Sequence, residues 1–452
     1  MLTPDQARDR AADIVTRAKA AGADAADAVY AADTSLDVAV RLGALEDVGR
    51  SESAELGLRV FVGKRSASVS TSDRSVDALA ALVERAVAMA REAPEDAWAG
   101  LAPADRLMHG APPLLDLDDL AHGGEEASPS ALRDAAQAAE DAARAVPGVT
   151  NSEGGSASAA RSIWALATSH GFAAAYATTG YGLSASVLAG EGGAMVRDYA
   201  YSSKRHRRAL EDPTEIGTRA GNRAVARVNP GRLASGPMSV VFDPRVGSSL
   251  LGHLIGAIAG QAITRKTSFL LDALGTQVFS SGVTVLDDPH LPHGLRSRPF
   301  DGEGLPVSPM AIIEAGMLEN WLLDSASARQ LGLEPTGHAA RGVGGAPGVS
   351  TSNLHMAAGD LPPETLIEDI VSGVLVTELI GMGVNGVTGD YSRGAAGFRI
   401  EHGVVTGPVA EFTIAGNLKD MFRELTPAND LEFRYGINVP TIRVDGMTVA
   451  SG

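Results

Sequence analysis

The sequence predicts an α+β fold built on antiparallel sheets. Helical and strand patterns do not alternate regularly along the 452 residues, and many strand patterns are joined by short turns, for which the chain supplies 52 glycines. A chain of this length exceeds what one hydrophobic core usually supports, so more than one structural unit is expected. The composition, 44% hydrophobic and 21% charged residues, is that of a globular protein.

The first hundred residues predict a helix, several strands and a second helix. The opening helix covers residues 4–21 and begins with a capping box, in which Thr3 is the N-cap and Gln6 reaches back to it. The second helix begins at Ser75 and carries apolar side chains at helical spacing. Alternating apolar residues between the two helices predict strands at residues 26–30, 35–42, 55–62 and 66–72.

This order of elements recurs after a proline-rich, acidic connector at residues 97–130. The two units agree in pattern and hardly in identity, so their origin by duplication stays open. The second unit is predicted to contain helices at residues 131–145 and 213–228 and strands at residues 162–169, 171–178 and 182–189. The predicted domains are an N-terminal α+β domain at residues 1–230, with units at about 1–96 and 131–230, and a C-terminal domain at residues 231–452.

A strand at residues 238–242 and a helix at about residues 244–263 are predicted to open the second domain. In this helix, apolar side chains recur every four residues and a row of glycines runs beside them. Each glycine inside a helix costs about 0.5–1 kcal/mol relative to alanine, so a closely packed neighbour or an inherited backbone constraint is expected. His253 lies next to this row and by itself is more typical of a structural histidine than of a metal ligand. The apolar residues are Leu250, Leu254 and Ile258, and the glycines are Gly252, Gly256 and Gly260.

Charge and composition exclude several classes of protein. Fifty-five acidic residues against 38 basic ones give a net charge of −17, which opposes attraction to nucleic-acid backbones. The only basic run, residues 204–208, is more typical of a surface patch than of a nucleic-acid site. The chain has no cysteine, which excludes disulfides, thiol nucleophiles and cysteine-ligated metals. Neither a long apolar run nor a signal-peptide pattern occurs, so we expect a cytoplasmic protein without a membrane partner.

Motifs that often mark active sites have simpler interpretations in this sequence. Residues 381–386 match GxGxxG, but the residues after them cannot sustain the helix that a dinucleotide site requires. No GxSxG motif is present, so the serines give no sign of a hydrolase. Two carboxylates and two imidazoles lie close together in the sequence and could bind a metal ion. However, Pro289 and Pro292 hold the backbone extended, which points these side chains in different directions. These candidate metal ligands, which we predict to bind no metal, are Asp287, Asp288, His290 and His293.

Seven segments in a fixed order carry a more specific signal. They are residues 57–63 (GLRVFVG), 71–73 (TSD), 151–154 (NSEG), 241–260, 279–282 (FSSG), 297–304 (SRPFDGEG) and 388–398 (TGDYSRGAAGF). Together they resemble the TldD/PmbA family, once described as modulators of DNA gyrase and now regarded as a peptidase system of two related subunits. The resemblance implies an N-terminal α+β region followed by a C-terminal domain of antiparallel sheets with helices.

The resemblance also implies where a metal would be held. The TldD-type subunit is known for a zinc-binding His-Glu-x-x-x-His motif on this helix, with a cysteine near the C-terminus as a further ligand. The histidines hold the zinc, and the glutamate is the general base for a zinc-activated water. The motif falls on Gly252, His253 and Ala257, none of which matches its role, and the cysteine is missing too. The chain therefore resembles the PmbA (TldE) type, with no catalytic residue and no cofactor of its own.

By this resemblance the chain pairs with a TldD-type subunit that carries the zinc. The complex would cleave unfolded proteins or small peptides without ATP, including peptide-antibiotic precursors and antitoxin-like proteins. Glycine-rich strand edges could hold an extended peptide by main-chain hydrogen bonds. Two alternatives stay open. One is a binding module that regulates peptides or proteins without cleaving them. The other is a self-sufficient peptidase that uses another site, such as His253 with a distant carboxylate, or a metal held by Asp287, Asp288, His290 and His293. Whether the isolated chain forms a homodimer is open as well.

Overall fold

Helices and mostly antiparallel sheets make up the protein, which confirms the predicted α+β class. The computed structural model describes residues 1–451, apart from the side chain of His122. No helix in this part of the chain is both long and apolar enough to cross a lipid bilayer. The elements before residue 230 are α1 (Pro4–Ala20), β1 (Ala25–Arg41), β2 (Ala44–Val62), β3 (Arg65–Thr71), α2 (Val76–Glu92), α3 (Pro129–Arg144), β4 (Val149–Thr168), β5 (Ala173–Ala189), β6 (Val196–Lys204) and α4 (Pro213–Ala226).

One six-stranded antiparallel sheet, in the order β3-β2-β1-β4-β5-β6, spans both N-terminal units. β1 and β4 join the units, pairing from Asp27 opposite Thr168 to Val40 opposite Gly155. α1 and α2 cover one part of the sheet and α3 and α4 another, and each pair of helices has its own apolar core. The units therefore pack side by side on a common sheet.

The N-terminal helices begin where the sequence predicts, but the strands are longer. The Thr3 side chain accepts a hydrogen bond from the Gln6 amide at 3.2 Å, and the Gln6 side chain accepts one from the Thr3 amide at 2.9 Å. β1 is continuous, although the sequence suggested two strands, at residues 26–30 and 35–42. Its polar middle is tolerated because Asp33 is exposed and its carboxylate accepts a hydrogen bond from Ser162 of β4 at 2.5 Å. β5 likewise merges two predicted strands.

The C-terminal domain contains sheets of six, five and two strands. The six-stranded sheet has the order β16-β15-β14-β7-β19-β17, and within it only β7 and β14 pair in parallel. Helix α5 packs on this sheet, and a large apolar core joins the helix to the five-stranded sheet. The elements are β7 (Gly236–Phe242), α5 (Pro244–Ile258), α6 (Gly260–Thr264), β8 (Val285–Asp288), β9 (Met310–Glu314), β10 (Met317–Leu318), α7 (Ser325–Leu331), β11 (Ala339–Ala340), β12 (Gly348–Val349), β13 (Asn353–Met356), α8 (Pro363–Ile367), β14 (Ser372–Val384), β15 (Asp390–Glu401), β16 (Val404–Asn417), α9 (Leu418–Arg423), β17 (Leu425–Pro427), β18 (Ile437–Asn438) and β19 (Ile442–Ser451).

The predicted helix at residues 244–263 is two helices. Ala259 adopts an extended conformation, with φ −64° and ψ 133°, and separates α5 from α6. At this break the Gly260 amide donates to the Leu322 carbonyl oxygen at 2.8 Å. The single long helix was therefore a wrong prediction, because a tertiary hydrogen bond replaces one that would continue the helix.

Buried ionic and aromatic contacts connect the two domains. The Asp27 carboxylate accepts hydrogen bonds from Arg59 at 2.7 Å and from Arg341 of the C-terminal domain at 3.1 Å. Phe300, also in the C-terminal domain, is 1% exposed and lies among aromatic rings of the N-terminal sheet. Those rings are Trp164, Phe172 and Tyr176, with centroids 5.6, 5.0 and 5.5 Å from that of Phe300.

Candidate functional site

Helix α5 is anchored at its start by charged groups from both domains. Asp243 is the N-cap, and its side chain accepts a hydrogen bond from the Arg245 amide at 2.9 Å. The Arg245 guanidinium lies 3.0 Å from Asp198 of β6, a carboxylate that is 2% exposed. Arg227, just after α4, lies 3.1 Å from the other oxygen of Asp198. This network holds α5 in a fixed position relative to the N-terminal sheet.

One face of α5 is bare, meaning that it carries no side chains at Gly252 and Gly256. Gly252 and Gly256 are exposed, and a Cβ atom built at either position would meet nothing within 4 Å. Of the two expected explanations for these glycines, a closely packed neighbour within the chain is not found for either of them, and an inherited backbone constraint stays open. Such a neighbour is found for Gly260, where a Cβ atom would overlap the Ser327 side chain. The exposed glycines leave room beside the helix for the backbone of another chain.

His253 lies on the edge of this bare face and is half-buried. Its Nε2 atom is buried and has no hydrogen-bond partner among the described residues, and its ring lies edge-on to that of Tyr391 of β15, with centroids 5.9 Å apart. Burial, followed by the charge of Arg393, lowers the pKa of His253, so the imidazole is neutral at pH 7. Burial also raises the pKa of Tyr391 to about 12, so its hydroxyl stays protonated. Both side chains, His253 and Tyr391, are therefore uncharged at pH 7.

The three positions of the family zinc motif do not form a set of ligands. Gly252 is exposed and Ala257 is 4% exposed, and neither residue carries a side-chain atom that can bind a metal ion. His253 alone offers a nitrogen, and zinc sites need three or four ligands. Within residues 1–451 and leaving out the His122 side chain, the single group of three metal-capable side chains consists of Asp116, His206 and His293.

A free strand edge lies close to this face. β7 pairs with β14 only from Gly373 to Val376, after which the chain turns into α5. From residue 377 onward, none of the described strands pairs with β14 on that side. Ile380 and Met382 on this stretch are 58% and 85% exposed. A cavity of about 590 Å³ adjoins the edge and is lined by residues 382–386 and 390–392, Tyr391 included. Such an edge is suited to the addition of an extended peptide.

The four metal candidates of the sequence do not converge. Asp287 accepts hydrogen bonds from Ser352 and lies 3.2 Å from His338, and Asp288 accepts one from the backbone amide of His290. The His290 Nε2 atom has no partner among the described residues. His293 turns away from the other three and contacts Asp116 of the connector. The neighbours that His293 meets, Asp116 and His206, were missed because they lie far from it in the sequence.

Comparison with known proteins extends over nearly the whole chain. Three family models match: PmbA/TldA metallopeptidase domain 1 at residues 26–90, the central domain at residues 123–228 and the C-terminal domain at residues 235–451. Metalloprotease PmbA of Escherichia coli O157:H7 is 40% identical over 428 residues, which cover 94% of this chain and 92% of that protein. The PmbA homologue of Haemophilus influenzae is 37% identical over 438 residues, which cover 96% and 94%.

Solved structures share the complete fold. A proposed modulator of DNA gyrase from Bacteroides thetaiotaomicron superposes with a TM-score of 0.90 at 28% identity, covering 100% of both chains. TldE of Thermococcus kodakarensis superposes with a TM-score of 0.86 over 97% of this chain and 99% of its own, and at 21% identity it supports the fold alone. From these matches together, the chain belongs to the PmbA/TldD family of metallopeptidases.

Proposed function

We propose that this chain is a non-catalytic, PmbA (TldE)-type subunit of a TldD/TldE-type metallopeptidase complex. One observation carries the proposal: on α5 an exposed glycine and a buried alanine stand where related subunits present zinc ligands. The ring of His253, the imidazole at these positions, lies next to Tyr391. Among the described residues, His253 belongs to no group of three metal-capable side chains. The Escherichia coli relative is named a metalloprotease, and in this proposal the zinc belongs to a TldD-type partner.

The open edge of β14 supports the substrate class that the family resemblance implies. Main-chain groups along residues 377–384 can pair with an extended segment whatever its side chains are. Unfolded chains and small peptides present such segments most readily, so they are the proposed substrates, and the resemblance adds peptide-antibiotic precursors and antitoxin-like proteins as examples. This subunit would align the peptide, and the partner would cleave it.

Reconstitution of the complex tests the proposal. The purified chain, a relative that carries His-Glu-x-x-x-His, and their mixture are each given an unfolded protein substrate and a short fluorogenic peptide. We expect no turnover by this chain alone and faster turnover by the mixture than by the relative alone. Turnover by the lone chain that His253→Ala abolishes would establish a self-sufficient peptidase instead. A stable complex in which substrates stay intact would favour a binding module.

The role of the strand edge is tested separately. In the reconstituted complex, Ile380→Lys combined with Met382→Lys places charge on the free edge of β14, which discourages pairing with another strand. We expect the KM for peptide to rise several-fold while kcat changes little, because the chemistry takes place on the partner. Val371→Lys is the matched control, since Val371 is 66% exposed but precedes the strand. Equal effects of the edge variant and the control would contradict a peptide site there.

A further inference from the structure

Three segments that are distant in the sequence bring Asp116, His206 and His293 together. Asp116 belongs to the connector, His206 follows β6, and His293 lies in the loop after β8. One ligand atom of each lies within 4.8 Å of the others. The cluster therefore lies where the connector, the N-terminal domain and the C-terminal domain meet, away from the bare face of α5.

His206 is 3% exposed, and both of its ring nitrogens face oxygen atoms. Nδ1 lies 3.0 Å from the Asp119 carboxylate. Nε2 lies 2.9 Å from the Asp116 carbonyl oxygen and 3.4 Å from the Asp116 carboxylate. A neutral imidazole donates from only one nitrogen, so donation from Nδ1 to Asp119 leaves Nε2 with a lone pair that faces the Asp116 oxygens, where a metal ion could bind.

His293 supplies a second imidazole to the same carboxylate. Its Nε2 atom lies 2.7 Å from an Asp116 oxygen, and its ring centroid lies 4.2 Å from that of His206. Two imidazoles and one carboxylate are a donor set that suits zinc and similar divalent transition metals. The Asp119 carboxylate at Nδ1 of His206 would leave Nε2 free for the metal, which is how metal-bound histidines are usually oriented.

The backbone at two of the three residues is unusual. Asp116 and His293 have φ values of 51° and 54°, in the left-handed region that few residues other than glycine adopt. Such conformations cost free energy and concentrate at functional sites. Here they direct two side chains from different domains toward each other.

We propose that Asp116, His206 and His293 form a binding site for a divalent transition metal of the zinc type, which fastens the connector and the two domains together. A cavity of about 520 Å³ beside the cluster leaves room for a water molecule to complete a tetrahedral coordination. Arg207 and Arg208 also line this cavity, but both are exposed, so solvent screens their charges.

Metal titration of the full chain tests the proposal. The purified protein is treated with a chelator, dialysed, and titrated with Zn²⁺ by calorimetry and with Co²⁺ by visible spectroscopy. We expect one ion per chain, the intense visible absorption of tetrahedral Co²⁺, and a rise in melting temperature with Zn²⁺. If the cluster binds no ion, neither uptake nor a rise in melting temperature will be seen, and the proposal is overturned.

Two variants locate the ion. Asp116→Asn and His293→Asn remove a ligand, and asparagine tolerates the left-handed backbone at both positions. We expect each to weaken Zn²⁺ binding by about tenfold or more. The control is His402→Asn, since His402 is exposed with a similar φ of 49° but lies in the turn between β15 and β16. Undiminished binding in Asp116→Asn and His293→Asn would place the ion elsewhere and refute the site.

A third variant, His253→Gln, distinguishes failure of the junction site from failure of the proposed subunit role. If Zn²⁺ binding is lost in His293→Asn but kept in His253→Gln, the ion binds at the domain junction and α5 holds no metal. An ion lost in His253→Gln instead would lie on α5, which contradicts both the junction site and the non-catalytic role.

Discussion

Glu303, which lies in one of the segments that carry the family resemblance, makes a buried structural contact. Its carboxylate accepts hydrogen bonds from the Ser325 amide at 2.8 Å and the Ser325 hydroxyl at 2.6 Å, and the residue is 5% exposed. Burial and the neighbouring Asp301 carboxylate raise the pKa of Glu303 to about 7. A raised pKa alone would suggest a general acid, but the side chain lies inside the C-terminal domain, hydrogen-bonded to the N-terminus of α7.

The raised pKa of Glu303 predicts a specific pH dependence of stability. Between the usual pKa near 4.5 and the folded value near 7, the folded state holds the proton that the unfolded state has lost. Stability therefore falls as pH rises through this interval, by up to about 3 kcal/mol. In Glu303→Gln, which keeps an acceptor for Ser325, we expect this part of the decline to disappear. Urea unfolding at pH 5 and pH 8 measures it, and parallel pH profiles of the two proteins would contradict it.

Two of the glycines in α5 show, at the scale of an element, that a sequence pattern can be right while one of its two expected explanations finds no support within the chain. The row of glycines is present on α5, but a Cβ atom built at Gly252 or Gly256 would meet no other atom within 4 Å. Their cost in helix stability is therefore not offset by contacts within this chain. In the proposed complex, the bare face would be covered by a peptide or by the partner.

Substitution of these glycines tests that interpretation. Gly252→Ala and Gly256→Ala should each stabilise the isolated chain by about 0.5–1 kcal/mol, because the added methyl group meets open space and alanine favours the helix. Thermal and urea unfolding measure the effect. Gly217→Ala in α4 is the matched control, since its Cβ atom would overlap the Ala139 carbonyl oxygen of α3 and should destabilise the protein. A loss of stability at Gly252 or Gly256 would mean that the face is not open.

At the scale of the whole molecule, the domains are held together by charges that neither could bury alone. Asp27 is 2% exposed, and Arg59 and Arg341 are each 6% exposed. The three form a single hydrogen-bonded group across the junction. Because a buried charge without a partner is costly, the group couples the stability of one domain to the presence of the other.

Breaking this group should be strongly destabilising. We expect Asp27→Asn to lower the free energy of unfolding by about 3–5 kcal/mol, since it leaves two buried guanidinium groups without the carboxylate that lies between them. Calorimetry should also show the two domains unfolding at more widely separated temperatures. Asp5→Asn removes an exposed partner of Arg8 and serves as the control, for which we expect no measurable change. Similar losses in the two variants would refute the role of the junction.

The sequence by itself determined the α+β class, the N-terminal helices, the capping box of the first helix, the family, and the absence of cysteine and of the zinc motif from α5. These follow from residue identity and from short-range periodicity, which a linear chain displays directly. Tertiary structure alone decided that four predicted strands are two long ones, that α5 ends at Ile258, and that Gly252 and Gly256 face open space. It also decided that His293 meets Asp116, 177 positions away. The physical reason is that such contacts depend on where the folded backbone carries each side chain, and local patterns hold no information about partners so distant along the chain.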